Sequence, residues 1–209
     1  MKPINSLLMP LSPKSTPAEN WFYSDEMFNR IYPPEIQNLA RRHWTPLSVA
    51  RKAASFLAAQ PYVRILDIGS GVGKFCLGAA HYKPRALYVG VEQRNNLVEY
   101  AETARSLLGL QNVSFIHGNF TQLNFKDYHH FYFYNSFYEN LASTDKIDTS
   151  IDYSGELYNY YTRYLFKQLE QKPAGTRLAT FHSLEDEIPQ DYHVVGSEMD
   201  NLLKFWIKI

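Results

Sequence analysis

Cysteine occurs once in the 209 residues, at Cys76. A single thiol excludes the disulfide frameworks of small secreted domains and places the expectation in a reducing compartment, the cytoplasm. Charge of one sign is also missing: Lys+Arg and Asp+Glu both number 21. The overall balance therefore gives no pointer to nucleic acid. No apolar run approaches the ~20 residues of a membrane span. The opening "MKPINSLLMPLSPKSTP" is broken by Pro10 and Pro13 and makes a poor signal peptide. The 7 histidines show no H-x-x-x-H spacing and no C-x-x-C pair exists, so no metal is expected. Neither a G-x-S-x-G elbow nor a G-x-x-x-x-G-K-[ST] phosphate loop is present.

What remains reads as globular, with 45% hydrophobic and 20% charged residues. Residues 1–20 form an irregular, proline-broken arm, and 21–60 a helical cap. Within the cap "SDEMFNRIY" and "PPEIQNLARRHW" read as two short helices, Pro34 suiting a first helical position. "TPLSVARKAASFLAAQ" is a clearer helix that Thr45 can cap. From 61 to 209 strands and helices alternate. "VRILD", "ALYVGVE", "VSFIH", "HFYFYN" and "TRLATF" are strands; "GKFCLGAAHY", "NNLVEYAETARSLLG" and "GELYNYYTRYLFKQLE" are helices. "DYHVVG" and "LLKFWIKI" close the chain as an antiparallel pair. The expectation is an α/β, doubly wound, mostly parallel seven-stranded sheet with a C-terminal antiparallel hairpin.

"RILDIGSGVGKFCLGAA" concentrates three glycines, Gly69, Gly71 and Gly73, between the first strand and a helix. Ligands of such sheets bind beyond the carboxyl ends of the strands, and alternating glycines let main-chain N–H groups approach them. The dinucleotide fingerprint G-x-G-x-x-G fails here because its third glycine position holds Lys74. Asp67 ends the strand instead. An acid there would repel a pyrophosphate and suits a cationic amine, such as the methionine part of S-adenosylmethionine. Glu92 ends the second strand, where a carboxylate can accept from both ribose hydroxyls. "HGNF" follows the third, offering Asn119 to an adenine amino group and Phe120 to the ring.

With these motifs the chain resembles the class I S-adenosylmethionine-dependent methyltransferases from about Thr45 to its end, with their Rossmann-like fold. Within that superfamily "DIGSGVGKFCLGAA", "YVGVEQRNNLVEYAETA" and "HGNF" are most similar to the Dot-type, non-SET histone lysine methyltransferases. Asn119 departs from that pattern, which has an acid there. The resemblance implies S-adenosylmethionine as cofactor, held by Thr45, Asp67, Gly69, Ser70, Gly71, Gly73, Glu92, Asn119 and Phe120. It also implies a protein acceptor, favouring a lysine nitrogen, with RNA, a small molecule or a non-catalytic binding protein as alternatives.

The fourth strand end, "FYFYNSFYEN", is where such enzymes place the acceptor. Asn135 can orient the attacking nitrogen, while Phe137 and Tyr138 can face a developing positive charge. Alternatively, Asn135 only caps a turn. If the acceptor is a lysine, His129 and His130 are candidates to take its proton, although paired histidines before a strand are commonly surface residues. Arg41, Arg42, His43, Arg51 and Lys52 gather before and within the first long helix, either as an anionic-partner surface or as solvated helix faces.

Overall fold

The computed structural model describes residues 21–183 and 185–209; the arm expected at 1–20 lies outside the described residues. The described chain opens with α1 (Asp25–Asn29), α2 (Pro34–Gln37), α3 (Ala40–His43) and α4 (Leu47–Leu57). The Ser24 hydroxyl accepts from the Met27 amide and caps α1. "PPEIQNLARRHW" is thus two helices rather than one. At their junction the Leu39 amide bonds the Ile36 carbonyl at 3.0 Å, a tighter three-residue step that turns Ile36 and Leu39 toward one core.

Thr45 does not cap α4. Pro46 stands at the cap position and offers no side-chain acceptor. The carboxylate of Asp25 supplies the bond instead, accepting from the Leu47 amide at 2.9 Å, while the Thr45 hydroxyl pairs with the buried Tyr132 hydroxyl at 3.0 Å. A cap from 22 residues upstream leaves no local trace in the sequence.

Beyond α4 run β1 (Arg64–Ile68), α5 (Lys74–Tyr82), β2 (Leu87–Glu92), α6 (Asn95–Leu107), β3 (Val113–His117), β4 (His130–Phe133), α7 (Gly155–Glu170), β5 (Arg177–Phe181), β6 (Tyr192–Glu198) and β7 (Leu203–Lys208). The seven strands form one sheet in the order β3-β2-β1-β4-β5-β7-β6. β1 to β5 are parallel, and β7 enters antiparallel between β5 and β6. The expected sheet and closing hairpin are both present. Strand 4 ends at Phe133, two residues earlier than the pattern implies, which releases Tyr134 and Asn135 into the following loop.

Period-two alternation builds two cores. Ile65, Tyr88 and Tyr132 face the cap, α4, α5 and α6. Leu66, Val89, Phe131 and Phe133 face α7. Tyr132 stacks on Phe75 of α5 at 3.7 Å between centroids, so much of the aromatic run is simply core.

Gly73 turns the chain into α5 at φ +81°, and a Cβ there would drive into the Phe115 ring. Gly73→Ala combines a left-handed alanine with overpacking, a loss of roughly 2–4 kcal/mol. Urea denaturation should show the midpoint fall with an unchanged slope.

Candidate functional site

The carboxyl ends of the central strands surround a cavity of about 430 Å³. It lies at the crossover between β1 and β4, where the chain reverses its winding direction. A smaller adjoining pocket shares His43, Gly69 and Tyr134 with it and reaches Thr45, Asp67, Ser70 and Lys74.

The glycine loop is fastened to β2. The Gly69 and Ser70 amides both donate to the Val91 carbonyl at 3.0 Å. Gly69 (φ +74°) lies against Ser136, and any Cβ on it would overlap the Ser136 side chain. Here the loop after β1 touches the loop after β4 directly. Gly71 is different, because a Cβ there would meet nothing within 4 Å and it lines the cavity. Its amide donates to Glu92 Oε2 at 3.1 Å.

Glu92 is buried at the end of β2. Its Oε1 accepts from the Arg94 amide at 3.0 Å and lies 3.3 Å from the Arg94 guanidinium. Arg94 also pairs with Glu139 and with Asp148, and donates to the Tyr153 hydroxyl at 2.7 Å. Burial works against the charged guanidinium, yet Glu139 and Glu92 outweigh it and hold its pKa above the usual range. Burial also pushes the Glu139 carboxyl up, with Arg94 opposing.

Asp67 is fully buried, on the same side of β1 as α5, with the Cys76 thiol 3.5 Å away. Desolvation pushes its carboxyl up to about 8; the thiol opposes and the Glu92 charge adds to the rise. Lys74, which in the sequence breaks the dinucleotide fingerprint, reaches from the start of α5 to Asp25 at 2.5 Å and Asn29 at 2.9 Å. Burial lowers its pKa and Asp25 opposes. It fastens the cap to the glycine loop.

Three expected cofactor residues take other positions. Asn119 does not line the cavity. Its amide oxygen accepts from Thr121, and its amide nitrogen donates to Gln93 and Tyr161, at 2.9–3.0 Å. Both positions of that oxygen are taken by Thr121, so the adenine role expected from the sequence requires this turn to open. Gly73 lines neither pocket and is a packing and turn position. Thr45 borders the smaller pocket but spends its hydroxyl on Tyr132. Phe120 does line the cavity, stacked on Phe137 at 5.1 Å.

Asn135 takes φ +40°, a left-handed conformation that asparagine tolerates. It lines the cavity, and its Oδ1 is shielded from solvent with no hydrogen-bond partner among the described residues. A buried acceptor left unmatched is costly unless a ligand supplies the donor. Tyr134, Tyr138 and His182 stand around it in the cavity wall. Phe137 lines the wall as well, packed against Phe133 at 4.6 Å.

His129 and His130 lie at the opposite ends of the strands, accepting from the amides of Arg64 and Arg177. Desolvation lowers His130 to about 4, aided by the Arg177 charge. Neither reaches the cavity. The basic cluster divides: Arg41, Arg42 and His43 line the cavity, whereas Lys52 pairs with Glu198 and Arg51 lies over Tyr82. Among the described residues no group of three or more His, Cys, Asp or Glu is placed to hold a metal ion. No helix among them is long and apolar enough to cross a membrane.

The fold has counterparts in known proteins. Residues 60–161 match the model of a methyltransferase domain. The fold is that of the class I methyltransferases. TrmN from Thermus thermophilus superimposes with a TM-score of 0.59 at 17% identity, covering 88% of this chain and 53% of that one. Magnesium protoporphyrin IX methyltransferase from Synechocystis PCC 6803, solved with bound S-adenosylmethionine, gives 0.55 at 16% identity and 90% and 94% coverage. A tRNA (guanine-N(7)-)-methyltransferase of Synechococcus sp. (strain JA-3-3Ab) is 50% identical over 54 residues, 26% of this chain. The chain spans 23% of that relative's length. The methyltransferase fold read from the motifs is therefore present, while the likeness to histone lysine methyltransferases finds no support in these relatives.

Proposed function

We propose that the protein is an S-adenosylmethionine-dependent methyltransferase acting on a nitrogen of an RNA base. The observation that carries the cofactor reading is the pairing of Gly71, open to the cavity, with Glu92 at the end of β2. The site also fits the rest of such a molecule. Asp67 suits its ammonium, the buried and unpartnered Ser70 hydroxyl borders the same smaller pocket, and Phe120 offers an apolar face to the base. When bound, S-adenosylmethionine supplies a methyl carbon on a cationic sulfur, so the acceptor nitrogen needs alignment more than activation.

The chain's own residues provide that alignment. Asn135 Oδ1 accepts an N–H of the acceptor and fixes its direction. Tyr134, Tyr138 and Phe137 exclude water and present aromatic faces to positive charge. The RNA reading replaces the lysine expected from the sequence. It draws on the relatives that act on RNA and on Arg41 and Arg42, exposed at the cavity wall where phosphates would pass. A tritiated-methyl assay against RNA, protein and metabolite fractions tests it; label confined to protein or metabolites would reject the RNA acceptor.

Titration calorimetry with S-adenosylhomocysteine tests the cofactor assignment through Asp67. With a pKa of about 8 this carboxyl is protonated at pH 7, and an ammonium beside it favours the charged form. Binding at pH 7 is expected to release about one proton, read from the dependence of enthalpy on buffer ionisation heat. Affinity then rises from pH 6 toward 8. Zero release would place the ammonium elsewhere. For folding the same shift has the opposite cost: its stabilising contribution is complete below the ordinary carboxyl pKa and is lost as pH climbs through about 8.

A further inference from the structure

We propose that Arg94 is a positioning residue, which couples cofactor capture at Glu92 to the placement of the segment from Glu139 to Tyr153. The inference rests on the methyltransferase reading and deepens it. The Arg94 side chain is only 5% exposed. Its donors spread in three directions: Nη1 to Glu92 at 3.3 Å, Nε to Asp148 at 3.3 Å, and Nη2 to Glu139 and to Tyr153. Only a planar fork of five N–H groups reaches all of these together.

The arrangement joins two functions that sequence keeps far apart. Glu92 ends the strand beside the glycine loop. Glu139 sits in the turn Ser136–Asn140 that follows Asn135, and Asp148 and Tyr153 lie in the stretch leading to α7. His43 Nδ1 approaches Glu139 at 3.7 Å, so the cap faces the same carboxylate. A carboxylate offers roughly four acceptor positions. Glu92 already receives the Arg94 amide and Nη1 on Oε1 and the Gly71 amide on Oε2. One position is left on Oε2, so of two ribose hydroxyls one fits there and the other competes with Nη1 for Oε1; what Arg94 yields there it recovers on Glu139 and Asp148. Capture at one end tightens the segment at the other, and by linkage the tightened segment favours capture.

Trypsin cleavage after Lys146, inside the segment, reads the coupling on the whole folded protein. Saturating S-adenosylhomocysteine is expected to slow wild-type cleavage about tenfold, and to slow Arg94→Gln and Glu139→Gln less than about twofold. Calorimetry run alongside establishes that the compound is bound in each case. A merely structural arginine would loosen the segment equally with and without ligand. Equal protection in wild type and variants, or no protection of wild type despite binding, would overturn the proposal. Absence of binding to wild type would instead reject the methyltransferase reading itself. Should Arg94→Gln fail to fold, Glu139→Gln decides, since it leaves the cation on Glu92.

Discussion

Asn135→Gly is expected to lower turnover by ~10²–10³-fold, the usual cost of removing one preorganised polar group from a reacting centre, while leaving S-adenosylhomocysteine affinity nearly intact. Glycine is the informative replacement. The backbone at Asn135 has φ +40°, which alanine resists and glycine accepts freely. The variant therefore removes the amide without straining the turn that carries Phe137 and Tyr138. Single-turnover rates with the labelled cofactor, together with calorimetry, separate alignment from binding. If both stay at wild-type values, Asn135 serves only the turn, the other role its sequence context allows. If affinity collapses along with the rate, its oxygen faces the cofactor rather than the acceptor.

Glu92→Ala is expected to weaken S-adenosylhomocysteine binding by ~10–150-fold, since hydrogen bonds to a charged acceptor contribute roughly 1.5–3 kcal/mol. Stability should fall by only about 1–3 kcal/mol, the cost of leaving the buried Arg94 amide without its acceptor. One guanidinium stands here among three carboxylates, Glu92, Glu139 and Asp148, so removing one leaves it partnered. A modest fall in urea midpoint beside a large affinity loss separates the ribose role from a structural one. Unchanged affinity would contradict the ribose role.

Much of the fold was legible because it obeys short-range rules. The helix Gly155–Glu170 coincides with its periodic segment "GELYNYYTRYLFKQLE". Gly69, Gly71, Glu92 and Asn135 were likewise visible as punctuation at strand ends, and all border the cavity. What escaped depends on long-range partners. Nothing in the sequence marks Arg94, because its partners Glu139 and Tyr153 lie 45 and 59 residues away. Thr45 failed as a cap for the same reason: a better-placed carboxylate came from another helix. Asn119 is the exception, because the partner that takes its oxygen, Thr121, lies only two residues on and the turn is itself a local feature. The split of "PPEIQNLARRHW" reflects core packing that propensity does not register. A basic cluster in sequence became two surfaces in space, and no charge count separates them.

Asp25 binds two helix beginnings at once, accepting from the Leu47 amide and pairing with the Lys74 ammonium. The leading helices are therefore a keystone for the glycine-loop end of the sheet, not an ornament laid over it. Trimming the chain back to Leu47 would remove Asp25 and Asn29 together with the rings of Phe28 and Trp44, leaving the buried Lys74 ammonium without its partners. A minimal folded fragment of this protein must begin before Asp25.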